Sequence, residues 1–237
     1  MLAPMESELA IVRDAPVARR QLDPTSWVDL VAGFVRDADV AMARIQAETA
    51  WLQAETLRYD HYVPERRLSA ARRADSDPLL RQTSLHLEAR YRQRFDGVAA
   101  ILYRDGDDFQ GLHSDREMRW LDDTLIAIVV LGERRPFVVR PRAPWSTVMA
   151  GKVPAGEDPD DIVLMPGAGD LLVMGGACQR NWMHGVPGAT TRAPRLSLTW
   201  RWTSRRGRPD TNPTPRDGRQ FGDRAPQPGT RYRTPDR

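Results

Sequence analysis

Arg195-Leu196-Ser197-Leu198-Thr199-Trp200-Arg201-Trp202 is the stretch on which the fold of this chain turns. Its strict alternation puts Arg195, Ser197, Thr199 and Arg201 on one face of a strand and Leu196, Leu198, Trp200 and Trp202 on the other. On an open sheet the polar face would meet water, as in an ordinary amphipathic strand. Inside a double sheet with helices packed outside, it would point inward, where a buried arginine requires an anion. A dicarboxylate satisfies it, because a guanidinium donates two parallel hydrogen bonds to a carboxylate.

Upstream of this strand, further short runs of strand character cover 98–103, 124–131, 137–140, 162–165, 171–174 and 182–186, separated by turns rich in Gly and Pro. Ahead of them the pattern is helical. From Thr25 or Ser26, the apolar positions Trp27, Leu30, Val31, Phe34, Val35, Val40, Met42, Ile45 and Trp51 predict one long helix or two shorter ones. A second helix is expected from Pro78 to about Phe95. Helices preceding many short strands give an α+β class with a jelly-roll core braced by N-terminal helices. The expected organisation is an irregular lead-in over residues 1–24, a single domain over 25–202 and an Arg/Pro-rich disordered tail over 203–237. Residues 142–161 read as an excursion at one end of the domain.

Charge excludes less than the total suggests. The chain of 237 residues has a formal charge of +3, yet residues 203–237 hold nine arginines and four aspartates. That leaves 26 basic and 28 acidic residues in the body, so the positive excess belongs to the tail. Arg66, Arg67, Arg72 and Arg73 form a local cluster that suits phosphates or, as such runs usually do, a solvated face. No apolar run reaches the roughly 20 residues of a membrane helix, so no membrane association and a cytoplasmic location are expected. The single cysteine, Cys178, rules out an internal disulfide and a multi-cysteine zinc site, and reads as a small buried side chain.

His113-Ser114-Asp115 adds the chemistry. Two positions apart in an extended segment, His113 and Asp115 point to the same side and can share one ion. His184 follows 69 residues after Asp115 on a predicted strand, after the turn Gly167-Ala168-Gly169-Asp170. Two imidazoles and a carboxylate suit iron(II) and leave three positions for a bidentate ligand and oxygen, whereas zinc favours a closed tetrahedron or a hydrolytic water. Each histidine alone is equally readable as a structural residue. Tyr103, on the strand before His113, can add a hydroxyl donor to the anion site.

These blocks, in this order, resemble the AlkB-like family of iron(II)- and 2-oxoglutarate-dependent dioxygenases. The resemblance runs through Leu102-Tyr103-Arg104-Asp105-Gly106, His113-Ser114-Asp115-Arg116-Glu117, Gly169-Asp170-Leu171-Leu172-Val173-Met174, Gln179 to Pro187 and Arg195 to Arg201. It implies a double-stranded β-helix core, iron(II) at His113, Asp115 and His184, and 2-oxoglutarate contacts from Tyr103, Arg195, Ser197 and Arg201, with oxygen as the second cosubstrate. It further implies alkylated DNA or RNA as partner, oxidative dealkylation of N-methylated bases as activity, and a substrate contact from Glu117. Tyr59, Tyr62 and Trp182 are the expected aromatic substrate contacts, with His61 beside them. Ile101 departs from the pattern, since many members carry an asparagine there, and the lid between Trp51 and Asp77 matches only loosely. Alternative readings are a hydroxylase or demethylase of a protein or small molecule, and a non-catalytic jelly-roll binding module. No protein partner is expected.

Overall fold

The computed structural model describes residues 10–58, 60–95, 97–115, 118, 119, 121–142, 153–203 and 230–234. Among these, the predicted strands are present nearly as bounded: β6 (Val98–Tyr103), β8 (Thr124–Gly132), β9 (Phe137–Pro141), β10 (Ile162–Leu164), β11 (Leu171–Gly176), β12 (Trp182–Val186) and β13 (Arg195–Thr203). They are joined by β1 (Ala18–Asp23), β2 (Ser26–Val31), β3 (Gln53–Arg58), β4 (His61–Pro64), β5 (Leu68–Arg72), β7 (Gln110–His113) and β14 (Thr230–Arg233). The helices are α1 (Ala38–Glu48), α2 (Pro78–Tyr91) and a single turn, α3 (Cys178–Asn181).

Two antiparallel sheets face each other. The larger runs β1-β2-β11-β8-β13-β6-β5 and the smaller β10-β9-β12-β7, while β14-β3-β4 form a third, short sheet. The period of two in β8 divides the core in two. Ala127, Val129 and Leu131 look outward to Met42 and Ile45 of α1 and Leu79, Leu80 and Leu87 of α2, joined there by Leu196, Leu198 and Trp200 of β13. Ile126, Ile128 and Val130 look inward to Phe137, Val139, Leu172 and Met174. A strand buried on both faces is apolar throughout, as β8 is. The Trp200 indole N–H, at the outer face, donates to the Ser84 hydroxyl at 2.9 Å, so the large sheet and α2 are joined by a hydrogen bond as well as by apolar contact.

The helix predicted from Thr25 begins only at Ala38. Residues 26–31 are a strand between β1 and β11, and residues 18–23, expected within an irregular lead-in, pair with them. The reason is two-sided burial: Val28 faces the inter-sheet core and Val31 the outer one. That removes the alternation by which a strand is told from a helix. Asp29, with no exposed surface, accepts from the Arg19 guanidinium at 2.6 and 2.8 Å and from the Tyr91 hydroxyl at 2.9 Å, anchoring the edge to α2. The helix from Pro78 ends at Tyr91, with the Asp77 carboxylate accepting from the Leu79 N–H as its cap. In the stretch expected to be disordered, residues 204–229 and 235–237 lie outside the described residues, and Thr230–Arg233 pairs with β3. Half of the excursion, residues 143–152, also lies outside them.

Candidate active site

The site lies between the two sheets, built by β7 and β12 on one side and β6 and β13 on the other. Antiparallel pairing sets His113 of β7 directly opposite His184 of β12, with ring centroids 4.4 Å apart. Asp115 follows β7, and its main-chain N–H donates to Gln179 Oε1 at 3.0 Å. One ligand atom from each of His113, Asp115 and His184 falls within 4.8 Å of the others, close enough to share a single ion. His113 Nδ1 lies 2.9 Å from the Gly111 carbonyl, and in the tautomer that donates to this oxygen Nε2 offers its lone pair. Nε2 is the nitrogen that faces Asp115, at 3.5 Å from Oδ1.

Electrostatics prepares the same donors. Burial by itself would raise the Asp115 carboxyl, but Arg201, His113 and His184 outweigh it and hold it well below the usual carboxylate range. Arg201 Nε donates to Asp115 Oδ2 at 2.5 Å, which leaves Oδ1 for the shared position. Burial, with the neighbouring His113 second, pushes His184 down to about 3, so its imidazole is neutral at neutral pH, the form that binds metal.

The anion site is next to this one. Arg195 on β13 pairs across the ladder with Tyr103 on β6, and both side chains are buried. Among the described residues its Nη1 reaches the carbonyls of Arg135 and Pro166, at 3.5 and 3.3 Å, and neither Nε nor Nη2 has a partner there. Arg201 Nη1 is likewise buried without one. Burial lowers Arg195 only to about 10, so it stays charged at neutral pH. Buried guanidinium nitrogens left over in this way call for a carboxylate, and a neutral imidazole pair with one carboxylate is a donor set for iron(II).

The chain from residue 39 to residue 201 matches the model of the 2OG-Fe(II) oxygenase superfamily. It belongs to that superfamily. Within it the enzyme is AlkB-like and is an iron(II)/2-oxoglutarate-dependent dioxygenase. It is 29% identical over 205 residues to the alpha-ketoglutarate-dependent dioxygenase alkB homolog 3 of Mus musculus, which spans 76% of this chain and 68% of the mouse protein. The Homo sapiens homolog 3 is 28% identical over the same shares of the two chains. The Arabidopsis thaliana DNA oxidative demethylase ALKBH2 is 29% identical over 120 residues, or 46% of this chain and 38% of that protein. The fold is shared with HygX of Streptomyces hygroscopicus, whose structure has nickel and 2-oxoglutarate bound. The TM-score is 0.53 at 15% identity, covering 74% of this chain and 82% of HygX. The jelly-roll expectation is thereby met.

The structure brings His113, Asp115, His184, Tyr103, Arg195, Ser197 and Arg201 of this dioxygenase into one inter-sheet space. Ser197 pairs with Ile101, which is packed at the edge of the inner core. Of the expected substrate contacts, Tyr62 and Trp182 lie among the described residues. Tyr62 is on β4, partly exposed, in the third sheet. Trp182 packs in the inner core: it is 8% exposed and its indole N–H donates to Asp23 at 2.7 Å. Tyr59 and Glu117 lie outside the described residues. Cys178 is buried as expected, with its thiol pushed up to about 12 by burial.

Two residues were missed by the sequence reading. Gln179, with no exposed surface, fixes the Asp115 main chain. Arg135, 1% exposed, donates to the carbonyls of Asp105, Asp108 and Pro187 and sits 5.3 Å above the Tyr103 ring. Nothing in a single sequence marks either, because each acts on backbone atoms far away along the chain.

Proposed function

We propose that this dioxygenase removes N-alkyl groups from bases of DNA or RNA, with His113, Asp115 and His184 holding iron(II) and Arg195, Arg201, Tyr103 and Ser197 holding 2-oxoglutarate. The observation that carries the substrate class is the similarity, over three quarters of the chain, to alkB homologues, together with the shorter match to a DNA oxidative demethylase. When bound, iron with 2-oxoglutarate and oxygen supplies a two-electron oxidation of a substrate C–H bond, with succinate and carbon dioxide as co-products. On an N-methyl group this gives an N-hydroxymethyl product that falls apart to formaldehyde and the restored base.

The chain's own residues position the reactants. Arg195, held between the sheets with two unpartnered nitrogens, gives a carboxylate a fixed bidentate seat that costs little reorganisation. Arg201 keeps Asp115 ionised and oriented, and Gln179 holds its backbone. The inner core around Phe137, whose ring stacks on His184 at 5.7 Å, keeps water from the back of the site. Incubation with iron(II), ascorbate, 2-oxoglutarate and methylated oligonucleotides tests the reading. Loss of the methyl group with matching formaldehyde and succinate is expected; succinate without methyl loss from any oligonucleotide would redirect the search to proteins and small molecules.

A further inference from the structure

A cavity of about 290 Å³ opens between the connection from β4 to β5 and the start of β7. Arg66 and Arg67 line one side and Phe109, Gln110 and Gly111 the other, with Glu65 also on its wall. Its size is near the lower end of the roughly 300–1,000 Å³ usual for small-molecule sites, which suits a fragment of one nucleotide. Three observations say what it can take.

The first is position. The Gly111 carbonyl and the Gln110 amide both approach His113 at Nδ1, at 2.9 and 3.2 Å, while Nε2 faces Asp115. The cavity wall thus includes the two residues at the Nδ1 edge of His113, the edge turned away from the shared ligand position, which suits a neighbour of the reacting group rather than that group. The second is an aromatic surface. Phe109 is 45% exposed, and its main-chain N–H donates to the Arg66 carbonyl at 2.9 Å, so the backbones that carry the ring and the guanidinium are tied together. The third is charge. Glu65 is neutralised by Arg67 at 2.8 Å, whereas the exposed Arg66 guanidinium has no hydrogen bond or ion pair among the described residues. A held aromatic face beside an uncommitted cation matches a base and its phosphate.

We propose that this cavity is a flanking-nucleotide subsite, in which a base neighbouring the target stacks on Phe109 while its phosphate meets Arg66. The proposal rests on the nucleic-acid reading above and sharpens it. A base has to leave a helical stack to lie on Phe109, so the subsite favours single-stranded flanks.

Binding of short single-stranded methylated oligonucleotides, measured by fluorescence anisotropy, tests it with a matched set carrying an abasic residue on either side of the methylated base. The wild-type protein should lose affinity on the order of tenfold with one of the two abasic positions. Phe109→Ala should show that loss on the intact oligonucleotide and no further loss on the abasic one, whereas Phe109→Trp should behave as wild type. Arg66→Gln should make the salt dependence shallower by about one phosphate contact. A Phe109→Ala protein that binds the intact oligonucleotide as tightly as wild type, or loses the same factor on both, overturns the subsite while leaving demethylation by the wild type standing. A wild type that turns over 2-oxoglutarate and demethylates no oligonucleotide overturns the nucleic-acid reading and the subsite together.

Discussion

Arg195 carries a buried charge whose hydrogen-bonding capacity is only half used. Replacing buried ionic groups with well-packed apolar side chains of similar volume is often neutral or stabilising, by up to about 4 kcal/mol, because the desolvation cost disappears. Arg195→Met should therefore raise the Tm of the ligand-free protein while abolishing the Tm increase on adding 2-oxoglutarate with a divalent metal, about 2.7 kcal/mol at a hundredfold excess over Kd. Scanning calorimetry with and without 2-oxoglutarate checks both; a persisting 2-oxoglutarate shift would remove Arg195 from the site. His184 gives the pH prediction. Its folded value of about 3 lies below its ordinary 6.5, so between these values the unfolded chain binds more protons. The metal-free protein should be fully stable above pH 6.5 and lose up to a few kcal/mol as pH falls toward 3, with Asp115 adding its own loss only below 3.8. His184→Gln should flatten the upper part of that slope in Tm measurements from pH 4 to 7.

At the scale of elements, the ligands depend on how closely β12 approaches β7. A Cβ on Gly185 would fall 2.7 Å from the Gln110 carbonyl oxygen and 3.1 Å from the Leu112 nitrogen, both backbone atoms with little room to move. Gly185→Ala should push β7 outward, costing about 1–3 kcal/mol of stability and weakening metal affinity because His113 and His184 separate. Titration calorimetry with iron(II) or a substitute ion reads the second effect, and unchanged affinity would mean that the ligands are not set by strand spacing. Gly185 stood in the sequence beside His184 without any sign of this contact. The alternation of β13 was legible because one face is apolar and the other polar, and that pattern survives in a list of letters. The strand β2 was not, since burial on both faces leaves no alternation to read. β3, β4 and β5 escaped for a related reason: they lie partly at edges, where side-chain environment changes from residue to residue.

On the scale of the molecule, charge separates from fold. The body is nearly neutral and the tail carries the excess arginines, yet Thr230–Arg233 returns to pair with β3 beside the β4 hairpin. Deleting residues 204–237 should leave the Tm of the domain within a few degrees, because among the described residues that segment pairs with β3 of the short third sheet and with neither of the two larger sheets. Oligonucleotide binding should become less salt-dependent, since nine arginines leave with the tail and the body is nearly neutral. Binding measured from 50 to 200 mM salt checks this, and an unchanged slope would assign phosphate contact wholly to the body.

The sequence by itself determined the succession of strands along the second half, the candidate trio His113, Asp115 and His184, the arginine strand and the family resemblance they carry. These are short-range patterns: spacings of two along a strand and blocks in a fixed order. Only the tertiary structure decided that Trp182 supports the inner core, that Gln179 and Arg135 brace the site through backbone atoms, and that Phe109 and Arg66 share a cavity behind His113. Those relations join residues tens of positions apart through burial and hydrogen-bond geometry, and neither quantity exists until the sheets have closed.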